Sequence, residues 1–112
     1  MKAFSGIAAV LAAAMWTGVA EAKPASCNLT IADREIFDGT CDFDGDADGS
    51  FRLTYAGDFY FVYVSVMEPG VAKGFWNGYE KNSHAHDDLG TLQREDRDRA
   101  CWSNGYARVC AR

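Results

Sequence analysis

Short runs of β-branched and aromatic residues, separated by turn residues, make up most of the chain beyond residue 23. The turn residues recur about every 8–12 positions, a spacing typical of a small antiparallel sandwich or barrel. No stretch shows a convincing helical period. The pattern therefore predicts an all-β fold, a small antiparallel barrel or sandwich of about eight short strands. The predicted strands are residues 27–31, 34–37, 50–55, 59–66, 71–76, 90–94, 99–103 and 106–110.

Residues 59–66 are the strongest strand candidate, because every residue but Ser65 is aromatic or β-branched. Side chains alternate between the two faces of a strand. One face would carry Tyr60, Val62, Val64 and Val66, and the other Phe59, Phe61, Tyr63 and Ser65. We expect a central strand that is either covered on both faces or uses its aromatic face to contact a partner.

The beginning of the chain has the pattern of a secretory signal peptide. Lys2 precedes an apolar run from Phe4 to Val19, which ends at the cleavage pattern Ala20-Glu21-Ala22. The run is short and interrupted, whereas a membrane-spanning helix needs about 20 apolar residues. We predict cleavage after Ala22, a single small β domain over residues 23–112, no membrane span, and a periplasmic or secreted location.

The chain is acidic, with a formal net charge of −5. The predicted signal peptide contains one base and one acid, so its removal leaves this charge unchanged. Nucleic-acid binding requires an excess of cations and is not expected. An acidic protein suits a cationic protein partner, and complementary charge raises the rate of association.

Four cysteines in an oxidising compartment predict two disulfides, which a domain this small needs for stability. Four cysteines allow three connectivities, and spacing favours Cys27–Cys41 and Cys101–Cys110. The second pair brackets Asn104-Gly105, a hairpin turn signal. The spacings are too long for a zinc site or a redox C-x-x-C motif.

An acidic segment suggests one metal site. Asp44, Asp46 and Asp48, followed by Gly49, match the first half of a calcium-binding loop. Tyr55 stands at position 12, where such loops have a bidentate glutamate. The alternative is an acidic β-turn, since turns favour Asp and Gly. We predict no cofactor, with calcium as the alternative at this segment.

A second polar segment holds both histidines, His84 and His86, followed by Asp87 and Asp88. The histidines are two residues apart and would point the same way on an extended chain, so they suit a shared transition metal with an aspartate. The alternative is a polar loop held by hydrogen bonds. No catalytic motif is found, and we predict a protein that is not an enzyme. Any binding surface is expected here, together with exposed aromatics such as Tyr79.

Trp76-Asn77-Gly78-Tyr79 predicts a type I′ turn with positive φ at both Asn77 and Gly78, because Asn-Gly lies between aromatic arms.

Several short sequence segments are distinctive of a known group of proteins. They are Tyr60-Phe-Val-Tyr-Val64, Trp76-Asn-Gly78, Ser83-His-Ala-His86, Leu89-Gly-Thr-Leu92, Ala100-Cys-Trp102 and Ala107-Arg-Val-Cys-Ala111. The chain resembles small secreted, four-cysteine proteins of alphaproteobacteria, a resemblance that implies a compartment but no activity. In size, disulfides and strand number it is similar to periplasmic inhibitors of c-type lysozyme. The Ser-Gly-x-x-Ala-Lys-Tyr-like loop of those inhibitors is not found, and Val71–Phe75 resembles it only weakly.

Three functions follow as hypotheses. The first is a non-enzymatic periplasmic or secreted binding or inhibitor module that acts through its loops on a protein partner. The second is a secreted effector of a host-associated bacterium, and the third is a small calcium- or metal-binding envelope protein. The oligomeric state stays open.

Overall fold

The computed structural model describes residues 22–57, 59–80 and 83–112. These residues form an all-β structure of eight strands. The strands are β1 (Lys23–Ile31), β2 (Arg34–Gly45), β3 (Phe51–Tyr55), β4 (Tyr60–Glu68), β5 (Val71–Trp76), β6 (Asp87–Arg94), β7 (Cys101–Ser103) and β8 (Ala107–Ala111). The predicted signal peptide lies outside the described residues, apart from Ala22. Nowhere in the described ranges is a helix long and apolar enough to cross a membrane.

The strands close into an antiparallel barrel in simple chain order. Each strand pairs with its sequence neighbours, and β1 pairs with β8 to complete the ring, with Leu29 opposite Val109. Closure gives each of the eight strands a paired neighbour on both sides, although β6 meets β7 at only two residues, Gln93 and Arg94. The prediction of a small antiparallel all-β fold is confirmed, and of its two forms the barrel is the one observed.

The barrel interior is filled by side chains, as expected for eight strands. Leu29, Leu53, Val62 and Val64 are fully buried there. Gly74 lies on the inner wall of β5, where an added Cβ would come within 2.7 Å of Leu92 Cδ1. Glycine at this position therefore leaves room for the leucine in the core.

β4 has one buried face and one partly covered face. Val62 and Val64 point inward, whereas Phe61 and Tyr63 lie on the outer wall and are partly exposed. The predicted alternation along residues 59–66 is thus observed, with the valine face in the core.

Both predicted disulfides are present. Cys27–Cys41 links β1 to β2 and belongs to the main core cluster. Cys101–Cys110 joins directly opposed residues of β7 and β8. Such bonds fit an oxidising environment.

The order of the strands divides the connections between the two ends of the barrel. The β1–β2, β3–β4, β5–β6 and β7–β8 connections lie at one end, called here the hairpin end. The β2–β3, β4–β5 and β6–β7 connections lie at the other end with the start of β1 and the end of β8, called here the terminal end. Residues from connections far apart in sequence therefore meet at each end.

Candidate functional site

A cleft of about 510 Å³ opens at the hairpin end of the barrel. It is lined by Ile31, Ala32, Arg34, Trp76, Tyr79, His86, Asp87, Asp88 and Tyr106. These residues come from the β1–β2 and β7–β8 hairpins and from both sides of the β5–β6 connection. Four of the five residues predicted to bind a partner, Tyr79, His86, Asp87 and Asp88, are brought together here.

Asn77 holds the β5–β6 connection against the barrel. Its side chain is fully buried, and its Oδ1 accepts the backbone N–H of Phe61 at 3.1 Å. Its Nδ2 donates to the carbonyls of Phe59 at 3.1 Å and Glu80 at 3.2 Å. A buried amide with these partners is satisfied, so it fixes the connection without an energetic penalty.

The predicted type I′ turn at Asn77-Gly78 is wrong. Gly78 has φ of +61°, but Asn77 does not adopt positive φ. Instead, Asn77 is the first residue of a turn closed by the Glu80 N–H, which donates to the Asn77 carbonyl at 3.2 Å. The turn is displaced by one residue because burying the Asn77 amide satisfies the backbone of β4.

His86 lies between two carboxylates. Its Nε2 is 2.8 Å from Glu80 Oε1, and its Nδ1 is 3.0 Å from Asp87 Oδ1. Its backbone N–H donates to the carbonyl of Trp76 at 3.0 Å. The histidine therefore connects the two ends of the β5–β6 connection and belongs to the wall of the cleft.

Two tyrosines form the aromatic rim of the cleft. Tyr79 is 63% exposed, its ring packs edge-on against Trp76 at 5.3 Å, and its hydroxyl accepts a hydrogen bond from Arg34 at 3.2 Å. Tyr106, on the β7–β8 connection, is 54% exposed. The rim thus offers large apolar surfaces to solvent while one of the two rings is held in position.

Asp87 and Asp88 supply negative charge beside the rim. Asp88 Oδ1 accepts the Gly90 N–H at 2.6 Å, and its Oδ2 is 3.5 Å from Lys73 Nζ. Asp87 Oδ2 lies next to Gly78, where an added Cβ would be only 2.6 Å away. Both carboxylates are positioned by the protein yet remain about half exposed.

His84 opens onto a different surface. It lines a depression of about 300 Å³ on the barrel wall, together with Asp46, Arg52, Phe61, Tyr63 and Ala85. Its ring centroid is 5.6 Å from that of His86. The two histidines are therefore neighbours, but only His86 faces the cleft.

The predicted calcium ligands form ordinary turn and strand contacts. Asp44 lies in β2, with its carboxylate 3.9 Å from Arg52 Nη2. Asp46 donates its backbone N–H to the Ser50 carbonyl at 2.8 Å. Asp48 Oδ1 accepts the Ser50 N–H at 2.9 Å, a bond that lowers the pKa of the Asp48 carboxyl.

Within the described residues, no three His, Cys, Asp or Glu side chains are placed to hold a metal ion. Calcium binding by Asp44, Asp46 and Asp48, and metal binding by the histidine pair, stay predictions that the geometry does not support.

The sequence analysis missed Arg34, Trp76, Glu80 and Tyr106 as members of the site. Tyr106 directly follows the Asn104-Gly105 turn signal, so an exposed aromatic at a hairpin tip was a detectable clue. Arg34 reaches Tyr79 across 45 positions of sequence. That contact depends on closure of the barrel and has no signal in the local pattern.

Comparison with protein-family models, with curated proteins and with solved structures finds no match for this chain. The resemblance to secreted alphaproteobacterial proteins and the similarity to lysozyme inhibitors stay predictions.

Proposed function

We propose that the chain is a secreted, non-enzymatic binding module that holds a cationic protein partner at the hairpin-end cleft, as an inhibitor does. The observation that carries this proposal is the convergence of Tyr79, His86, Asp87 and Asp88 on one cleft. In rigid β scaffolds, the residues that bind a partner commonly lie on the connecting loops.

The aromatic rim has the composition of a binding hot spot. Three large apolar side chains are strongly exposed in the described part of the chain, and two of them, Tyr79 and Tyr106, line this cleft. Tyrosine provides a large contact area and loses little conformational entropy on binding. It is also enriched among the residues that dominate interface energetics.

The charge of the cleft and of the whole chain favours a cationic partner. The carboxylates of Glu80, Asp87 and Asp88 lie together at this end and outnumber the nearby cations Arg34 and Lys73. The chain carries a net charge of −5. Such a field attracts a positively charged protein and orients its approach. A c-type lysozyme is a partner of this kind.

The cleft is preorganised. Asn77 fixes one side of the β5–β6 connection, His86 joins its two ends, and the closed barrel supports both. A rigid site loses less entropy when it binds, so more of the contact energy appears as affinity.

The proposal is tested by measuring the affinity of the protein for a c-type lysozyme by calorimetry, using the full chain expressed where disulfides form. We expect Tyr79→Ala, and Asp87→Asn combined with Asp88→Asn, each to raise Kd about tenfold or more. Asp96→Asn is the matched control, because Asp96 is fully exposed on the β6–β7 connection at the terminal end. No binding, or an equal effect in the control, would contradict the proposal.

A further inference from the structure

A second cavity, of about 310 Å³, lies in the mouth of the barrel at the terminal end. Its apolar floor is formed by Phe43, Phe51, Val66 and Trp102, with the edges of three connections around it. Small-molecule sites have volumes of about 300–1,000 Å³ and occur in the mouths of β-barrels. An eight-stranded barrel is wide enough for one small ligand.

The floor of this mouth is aromatic. The rings of Phe43 and Phe51 are stacked, with centroids 5.3 Å apart and planes 20° from parallel. Trp102 lies beside them from β7 and is 5% exposed. Aromatic rings prefer such offset stacking, and a flat ligand ring would extend it.

Below the floor, the barrel has no room for a long ligand. Val64, Ala72 and Leu92 are fully buried and fill the interior. A long acyl chain would have to displace this core, which is costly in a close-packed interior. A ligand must therefore be short.

The rim of the mouth is cationic. The Arg94 guanidinium lies 5.6 Å from the Trp102 ring, and its Nε donates to the Arg99 carbonyl at 2.8 Å. Arg99 also lines the mouth, and its Nη1 is 3.6 Å from Asp96 Oδ1. Among the described residues that line the mouth, Asp48 is the only one with a carboxylate, and that carboxylate accepts the Ser50 N–H. The lining residues thus include two arginines and one aspartate, and Arg94 is the cation placed over the aromatic floor, so the mouth favours an anion although the protein is acidic overall.

We propose that the barrel mouth binds a small aromatic monocarboxylate. Its ring lies on the floor of Phe43, Phe51 and Trp102, and its carboxylate faces Arg94 and Arg99. Guanidinium groups bind carboxylates through strong charge-assisted hydrogen bonds. This site lies at the opposite end from the hairpin-end cleft, so it is independent of the proposed protein-binding function.

The test is a titration of the purified protein with phenylacetate, followed by NMR of the Trp102 indole N–H. We expect a saturable shift of this signal, with the Trp76 indole unaffected. Phenylacetamide, which has the same ring without the charge, should bind about tenfold more weakly or worse. Arg94→Gln and, separately, Arg99→Gln should each raise the Kd for phenylacetate about tenfold.

Arg97→Gln is the matched control, because Arg97 is exposed on the same connection but does not line the mouth. Its Kd should equal that of the parent. Three outcomes would overturn the proposal: no saturable shift at Trp102, equal affinity for the acid and the amide, or equal affinity for inorganic phosphate. The last would show an anion site without an aromatic requirement.

Discussion

At the scale of single residues, Asn77 and Gly78 position the β5–β6 connection that borders the cleft. Asn77 has no charge and no exposed surface, yet it satisfies backbone groups at the start of β4 and within the β5–β6 connection. Gly78 provides the positive φ for the turn and leaves space for Asp87. The sequence predicted a turn here, but not which residue would be buried, because that choice depends on backbone groups of β4.

Asn77→Ala should destabilise the protein by about 2–3 kcal/mol, because it leaves a buried N–H and carbonyl groups without their partner. Chemical denaturation of the variant and the parent measures this change. Asn28→Ala is the control, since the Nδ2 bonds of Asn28 to Glu35 and Asp38 are long, at 3.4 and 3.3 Å. The control should stay within about 0.5 kcal/mol of the parent. Equal effects in both variants would show that the Asn77 bonds contribute little.

Gly78→Ala should destabilise the protein through two separate effects. A side chain at φ of +61° costs about 1–2 kcal/mol, and the new Cβ would lie 2.6 Å from Asp87 Oδ2. Gly57→Ala is a matched control, because Gly57 has φ of +59° with nothing within 4 Å of an added Cβ. Thermal melts should show a larger loss at Gly78. Equal losses would mean that Asp87 moves aside freely.

At the scale of elements, β-propensity identified the position of every strand but not the full length of each. β2 extends to Gly45, although the prediction ended at residue 37. Asp38 and Asp42 suit strands poorly by propensity, but they point outward while Cys41 is buried. Propensity alone predicts too short a strand there, because the solvent-facing side of the barrel wall accommodates polar residues.

An ion-pair network joins the β6–β7 connection to β8. Arg108 binds Glu95 through Nε at 2.8 Å and Nη2 at 3.1 Å, and Arg112 binds Asp98 through two nitrogens at 2.8 and 3.0 Å. The hydrogen bonds from Arg108 lower the pKa of Glu95, and those from Arg112 lower the pKa of Asp98.

A carboxyl whose pKa is lowered by folding stabilises the protein above its unfolded pKa, and this contribution is lost as the pH falls through its folded pKa. The unfolding free energy should therefore decrease as the pH falls from about 5 toward 3. Arg108→Gln should show a shallower decrease over this range in denaturation curves, whereas Arg97→Gln, outside the network, should match the parent. Parallel pH profiles for Arg108→Gln and the parent would contradict the network's role.

At the scale of the whole molecule, barrel closure and two disulfides act together. The disulfide pairing was predictable, because each bond links neighbouring strands of one hairpin. The cleft was predictable only in part. Tyr79 and the segment from His86 to Asp88 are close in sequence. Arg34 and Tyr106 belong to the β1–β2 and β7–β8 hairpins, which come together at the cleft only when β8 pairs with β1. Local patterns carry no information on that closure.

Reduction should destabilise the barrel, since each disulfide contributes about 2–4 kcal/mol in a domain of this size. Cys27→Ala with Cys41→Ala should cost more than Cys101→Ala with Cys110→Ala, because the first pair closes the longer loop and belongs to the main core cluster. Urea denaturation of both double variants and of the reduced parent checks this order. The reverse order would show that the β7–β8 link is the more important one.

The central claim is that the hairpin-end cleft is the surface that binds a cationic partner. The most direct measurement is amide hydrogen exchange of the protein with and without saturating c-type lysozyme. We expect slower exchange at residues 79–80, 86–88 and 106, with no change at the terminal end. Protection confined to the terminal end, or to the outer wall around Phe61 and Tyr63, would contradict the claim.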